Sequence, residues 1–110
     1  MRSSQDVINP LGSGHYSDPP LLVLASLAAG PKHGHAMLKD IEKMCGTRLG
    51  PGTLYGAISR LEQQGWIEPL PPDQRRRPYR LTDAGRSAFA AKMGTLQRLV
   101  AVGSDRLLTL

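Results

Sequence analysis

The sequence predicts an α+β fold that is mainly helical: a winged helix-turn-helix unit followed by a long C-terminal dimerisation helix. Three observations carry that expectation. Apolar residues recur at helical spacing in three segments before residue 65, and two short strand-like runs then flank a tip rich in arginine. Beyond them Phe89, Met93, Leu96, Val100, Gly103 and Leu107 step by 4, 3, 4, 3 and 4, a heptad seam.

Residues 1–17 hold Ser3, Ser4, Asn9-Pro10, Gly12, Ser13 and Gly14 without a sustained period and read as a flexible N-terminal arm. Asp18-Pro19-Pro20 then opens a helix, with Asp accepting from unpaired N–H groups and Pro suited to the first helical position. Leu21 to Leu24, Leu27 and Ala28 make that helix apolar on nearly every side, so it is predicted to be buried. Gly30-Pro31 ends it. A second helix places Met37, Leu38, Ile41 and Met44 on one face and points Lys39, Asp40, Glu42 and Lys43 outward, and Gly46 closes it.

A third helix opens at Gly50-Pro51, buries Leu54, Ala57, Ile58 and Leu61, and stops at Gly65, a residue that tolerates the left-handed conformation. The runs 66–70 and 78–82 read as two strands around residues 71–77, with Pro69 and Pro78 favouring a short, edge-like ribbon. Thr82 is placed to cap the last helix at Asp83. The expected layout is therefore the arm over 1–17, the winged helix-turn-helix over 18–82 and the dimerisation helix over 83–110.

Composition narrows the function. With Lys plus Arg at 14 and Asp plus Glu at 9, the net charge is +5, and the excess is local. Arg75, Arg76, Arg77, Arg80 and Arg86 fall within a twelve-residue stretch that contains a single acidic residue, Asp83. A patch of this kind suits an anionic partner. The longest apolar stretch, Leu21 to Ala29, is too short to span a membrane, and the N-terminal residues lack a secretory pattern. The single cysteine, Cys45, forms no internal disulfide, which makes a reduced, cytoplasmic setting the expectation. His33 and His35 lack further ligands for a metal, no cofactor motif is present, and no paired carboxylates or nucleophile turn suggest an enzyme.

Double-stranded DNA fits the patch best. In a winged helix-turn-helix the third helix enters the major groove with its outward side chains. Here those are Thr53, Tyr55, Ser59 and Arg60, and Gly52 lets the backbone approach closely. Arg75, Arg76 and Arg77 at the wing tip are placed to border the minor groove, with Arg80 as the exposed member of the Tyr79-Arg80 pair.

Several of these pieces resemble the PadR-type bacterial transcriptional regulators. The resemblance rests on Leu21 to Leu27, His33-Gly34, Thr53-Leu54-Tyr55, Arg60-Leu61-Glu62, Gln64-Gly65-Trp66-Ile67, the three arginines, and Tyr79-Arg80-Leu81-Thr82-Asp83-Ala84-Gly85-Arg86. It covers about residues 18 to 108 and implies a homodimeric repressor that binds an operator and responds to a small ligand. With one helix after the wing, the chain is similar to the short branch of that family. His35 stands where members commonly carry Tyr, Gly50-Pro51 replaces a Ser or Asn cap, and the wing holds extra prolines.

Competing readings stand beside these. Tyr55 either packs over the second helix or reaches DNA, and Arg60 either contacts phosphate or pairs with an acidic side chain such as Asp40. Cys45 near a helix end reads as a small buried hydrophobe, with a redox switch as the alternative. The seam of Phe89, Met93, Leu96, Val100 and Leu107 either packs within the chain or meets its copy, where it would also receive a small apolar or aromatic effector. A protein-binding module that uses the arginines against an acidic surface is the alternative function.

Overall fold

The computed structural model describes residues 17–109, so all but the last residue of the expected N-terminal arm lies outside the described residues. The first helix, α1 (Pro19–Ala28), is capped as its sequence demands: the Asp18 carboxylate accepts from the Leu21 amide at 3.3 Å. Leu21, Leu22, Val23, Leu24, Ser26 and Leu27 are all buried, which leaves this helix at the centre of the molecule.

The chain leaves α1 through Gly30, whose φ of +147° lies outside the range of ordinary side-chain-bearing residues, and enters a strand that the sequence did not reveal. This strand, β1 (Lys32–His33), is only two residues long, too short to show any period. It pairs antiparallel with the second strand of the wing. Next comes α2 (Gly34–Cys45), which buries Met37 and Ile41 and ends at Gly46, left-handed at φ +73°. Its last turn departs from expectation. Residues 42–46 are all exposed, Met44 and Cys45 among them, because the helix runs past the edge of the core before Gly46 stops it.

Asp40 also differs from the outward placement predicted for it. Its carboxylate accepts from Ser26 Oγ at 2.6 Å, and Ser26 is fully buried in α1. Lys32 Nζ donates to the Ser26 carbonyl and lies 3.8 Å from the same carboxylate. One polar knot thus ties α1, β1 and α2.

The third helix, α3 (Pro51–Gln63), buries Leu54, Ala57, Ile58 and Leu61 against α1 and α2. Its exit is a Schellman motif, with Gly65 at φ +76° donating to the Glu62 carbonyl and Trp66 donating to the Leu61 carbonyl. Two strands follow, β2 (Ile67–Pro69) and β3 (Pro78–Leu81). The sheet order is β1-β3-β2, so β3 is a central strand and not the edge that its proline suggested. Pro78 is tolerated there because it is the first residue of the strand. Ile67, Tyr79 and Leu81 close the core from the sheet side, each side chain contributing about 1.5–3 kcal/mol through burial.

Thr82 joins the sheet to α4 (Asp83–Leu108) and serves both. Its hydroxyl donates to the Gly65 carbonyl at 2.6 Å and accepts from the Gly85 amide at 3.0 Å, capping a helix of 26 residues. Phe89 rests against the core, and the C-terminal half of the helix projects away from it. No helix among the described residues is long and apolar enough to cross a membrane.

Candidate nucleic-acid interface

The outward face of α3 presents Gly52, Thr53, Tyr55, Ser59 and Arg60, all exposed. That follows from helical spacing, since Leu54, Ala57, Ile58 and Leu61 consume the opposite face. Tyr55 meets its packing reading in part. Its ring packs over the start of α2 at Gly34, yet the residue stays half exposed at 51%.

The wing tip is tighter than its sequence suggests. Asp73 and Arg76 exchange both backbone hydrogen bonds, at 2.7 and 2.9 Å, enclosing a two-residue turn of Gln74 and Arg75. Both turn residues have positive φ, 48° and 68°, as a type I′ hairpin turn requires. A non-glycine residue in this region costs about 1 kcal/mol, so the tip stores strain where its arginines are displayed. Arg75, Arg76 and Arg77 are all exposed.

Between the wing and the start of α2 lies a cleft of about 180 Å³, lined by His33, Gly34, His35, Tyr55, Tyr79 and the three arginines. Non-local pairing builds it: β1 hydrogen-bonds to β3 and sets His33 opposite Pro78 at the wing's base. Arg76 Nη1 stands 3.2 Å from His33 Nε2, and the rings of His33 and His35 stack with centroids 6.5 Å apart. Burial pushes the Tyr79 phenol above its ordinary pKa, and the charge of Glu62 adds to that against the opposing effect of Arg77. Tyr79 is therefore neutral at physiological pH.

The structure brings Tyr55 and Arg75 to Arg77 together but sets two other predicted contacts apart. Arg80 is exposed, as the strand alternation predicted, yet its Nε donates to Glu68 Oε2 at 2.6 Å across the β2–β3 pair. It lines a different depression with Leu27, Pro31 and Arg86. Arg60 lines a groove of about 200 Å³ with Leu21, Leu24, Trp66, Ala88 and Lys92, and its suggested partner Asp40 is engaged by Ser26. The histidines were missed as site residues. The sequence suggests them only as metal ligands too few to form a site, and the strand pairing that carries His33 to the wing is only two residues long.

Along α4, Phe89, Met93 and Leu96 are half-buried and Val100 and Leu107 are exposed. Leu99, Val102 and Leu108 are exposed as well, but at helical spacing they lie off the line through Val100 and Leu107, with Val102 nearly on the opposite face.

Known proteins share this arrangement. The family model described as the transcriptional regulator PadR-like family matches residues 23–91. Over 83 residues the chain is 46% identical to an uncharacterized 37.1 kDa protein in a transposon of Streptomyces fradiae, a match that covers 76% of this chain and 24% of that protein. The chain thus spans about a quarter of that relative's length. It is 33% identical over 82 residues to a transcriptional regulator of Mycobacterium tuberculosis, covering 72% of this chain and 76% of that one. A PadR family transcription regulator from Clostridium difficile has the same fold, with a TM-score of 0.74 at 21% identity over 81% of this chain and 97% of that chain. On its sequence match over residues 23–91, this chain belongs to the PadR-like family of transcriptional regulators.

Proposed function

We infer that the protein is a homodimeric repressor that binds duplex DNA in a sequence-specific way and responds to a small effector. The observation that carries the DNA reading is the cleft at which Tyr55 of α3 meets Arg75, Arg76 and Arg77 of the wing. Gly52, Thr53, Tyr55 and Ser59 serve as the major-groove face, and Arg75, Arg76 and Arg77 lie along the adjacent minor groove. Arg60 is assigned to phosphate at the far end of α3. Arg80, held by Glu68, contributes only when that pair opens.

The apolar stripe on α4 supports dimerisation. Val100 and Leu107 are exposed in the single chain and continue the line of the half-buried Phe89, Met93 and Leu96, apolar surface that a second copy of the same helix covers. Two half-sites would then lie about 34–36 Å apart. A small apolar or aromatic effector fits where the stripe, from Phe89 to Leu107, meets the body of the protein, and repression follows from occupancy of a promoter.

Selection of bound duplexes from a random pool tests this reading. A pseudo-palindromic consensus, bound by a species of twice the chain mass in sedimentation, is the expected result. Monomeric protein that enriches no sequence contradicts it.

A further inference from the structure

His33 makes two contacts that one neutral ring cannot satisfy together. Its Nδ1 lies 3.4 Å from the Ala36 amide, which it caps at the start of α2. Its Nε2 lies 3.2 Å from Arg76 Nη1. With the proton on Nε2 the cap is made, but two donors face each other. With the proton on Nδ1 the ring accepts from Arg76, and the Ala36 amide loses its cap. An anion removes the conflict once the exposed Arg76 guanidinium, 3.2 Å from Nε2, swings outward to admit it, because it then accepts from both while Nδ1 keeps the cap.

The surroundings favour such an anion. His35 from α2, Tyr55 from α3, and Arg75, Arg76, Arg77 and Tyr79 from the wing and its strand face the same cleft, and no carboxylate is among the described residues lining it. The cleft also lies between α3 and the wing, where a backbone strand passes when the two occupy adjacent grooves. We propose that it seats one phosphodiester oxygen of the duplex between His33 Nε2–H and the Arg76 guanidinium, which makes His33 a DNA-contact residue. This rests on the DNA-binding reading above and adds to it a neutral hydrogen-bond donor from outside both the recognition helix and the wing.

The test uses a 30-base-pair mixed-sequence duplex, since a phosphate contact carries no sequence information. His33→Asn keeps an N-cap side chain but loses the reach to Arg76. It is expected to bind about tenfold more weakly per chain engaged, at unchanged salt dependence, because a neutral donor releases no counterion. Arg76→Ala is expected to make the slope of log K against log salt shallower by about 0.9 per chain. Nitrogen NMR of the wild-type ring is independent of any variant's folding, and in the complex it should show the proton on Nε2 with Nδ1 bare. Wild-type affinity in His33→Asn, or a ring that carries its proton on Nδ1 in the complex, overturns the assignment while DNA binding itself stands. Wild-type protein that binds no duplex overturns the DNA-binding reading and this inference with it.

Discussion

The ring of Tyr55 lies directly over Gly34: a Cβ added to that glycine would stand 2.7 Å from Tyr55 Cζ and 3.1 Å from Cε1. The glycine of the His33-Gly34 pair is thus the floor on which this outward-facing tyrosine of α3 rests. Gly85 makes a similar close approach, but to backbone, since a Cβ there would stand 2.7 Å from the Trp66 carbonyl carbon. Two glycines of the sequence motifs therefore have steric explanations, and they differ in what must yield.

That difference predicts opposite outcomes for two alanine substitutions. Gly34→Ala should leave stability within about 1 kcal/mol of wild type, because Tyr55 swings away and alanine is a better helix former. It should nevertheless weaken duplex binding several-fold by displacing that ring. Gly85→Ala meets a backbone that cannot rotate away, and a loss of about 3 kcal/mol is expected. Chemical denaturation paired with a binding titration on each variant checks both.

Ser26, Asp40 and Lys32 form the polar knot beneath α1. Removing the carboxylate strands a buried hydroxyl, so Asp40→Ala should cost about 2 kcal/mol and Ser26→Ala about 1 kcal/mol. The double variant should cost less than the sum, since both single changes break the same hydrogen bond. Strict additivity in a double-mutant cycle would show that the two side chains act separately.

At the wing tip, stability and binding should separate. Gln74→Gly relieves a positive φ without removing charge, so the protein should gain about 0.5–1 kcal/mol and bind duplex within twofold of wild type. Arg75→Gly relieves the neighbouring strain yet removes a cation, and should gain similar stability while its salt slope becomes shallower by about 0.9 per chain. Melting curves and salt titrations on the pair of variants distinguish the two effects.

Tyr79 gives a pH signature. Its folded pKa is raised above the ordinary tyrosine value by burial, so the stability it contributes is fully present below about pH 10 and is lost as pH rises through the folded value. Melting temperatures of the wild type should therefore fall faster above pH 10 than those of Tyr79→Phe. Parallel curves would show that the phenol titrates alike in both states.

Much of this fold was legible because its signals are local. The Asp18 and Thr82 caps, the stop at Gly65, and the buried quartet Leu54, Ala57, Ile58 and Leu61 follow from spacing and residue type alone. What escaped was non-local. The strand at Lys32–His33 exists only because β3 passes beside it, and that pairing converts β3 from an edge to a centre and carries His33 to the wing. Asp40 sits on the polar side of its helix in sequence, and only the packing of α1 shows that a buried serine reaches for it. Met44 and Cys45 belong to an apolar-looking face whose last turn overruns the core, a length mismatch that periodicity does not encode.

The central claim is that the wing arginines hold a DNA backbone, and the salt dependence of duplex binding tests it most directly. Wild-type protein and the triple variant Arg75→Ala, Arg76→Ala, Arg77→Ala are titrated with one duplex over a range of salt concentrations. Each phosphate contact contributes about 0.9 to the slope of log K against log salt, so the variant should bind more weakly at every concentration with a slope shallower by about 2–3 per chain. An unchanged slope would place the wing away from the DNA and contradict the account.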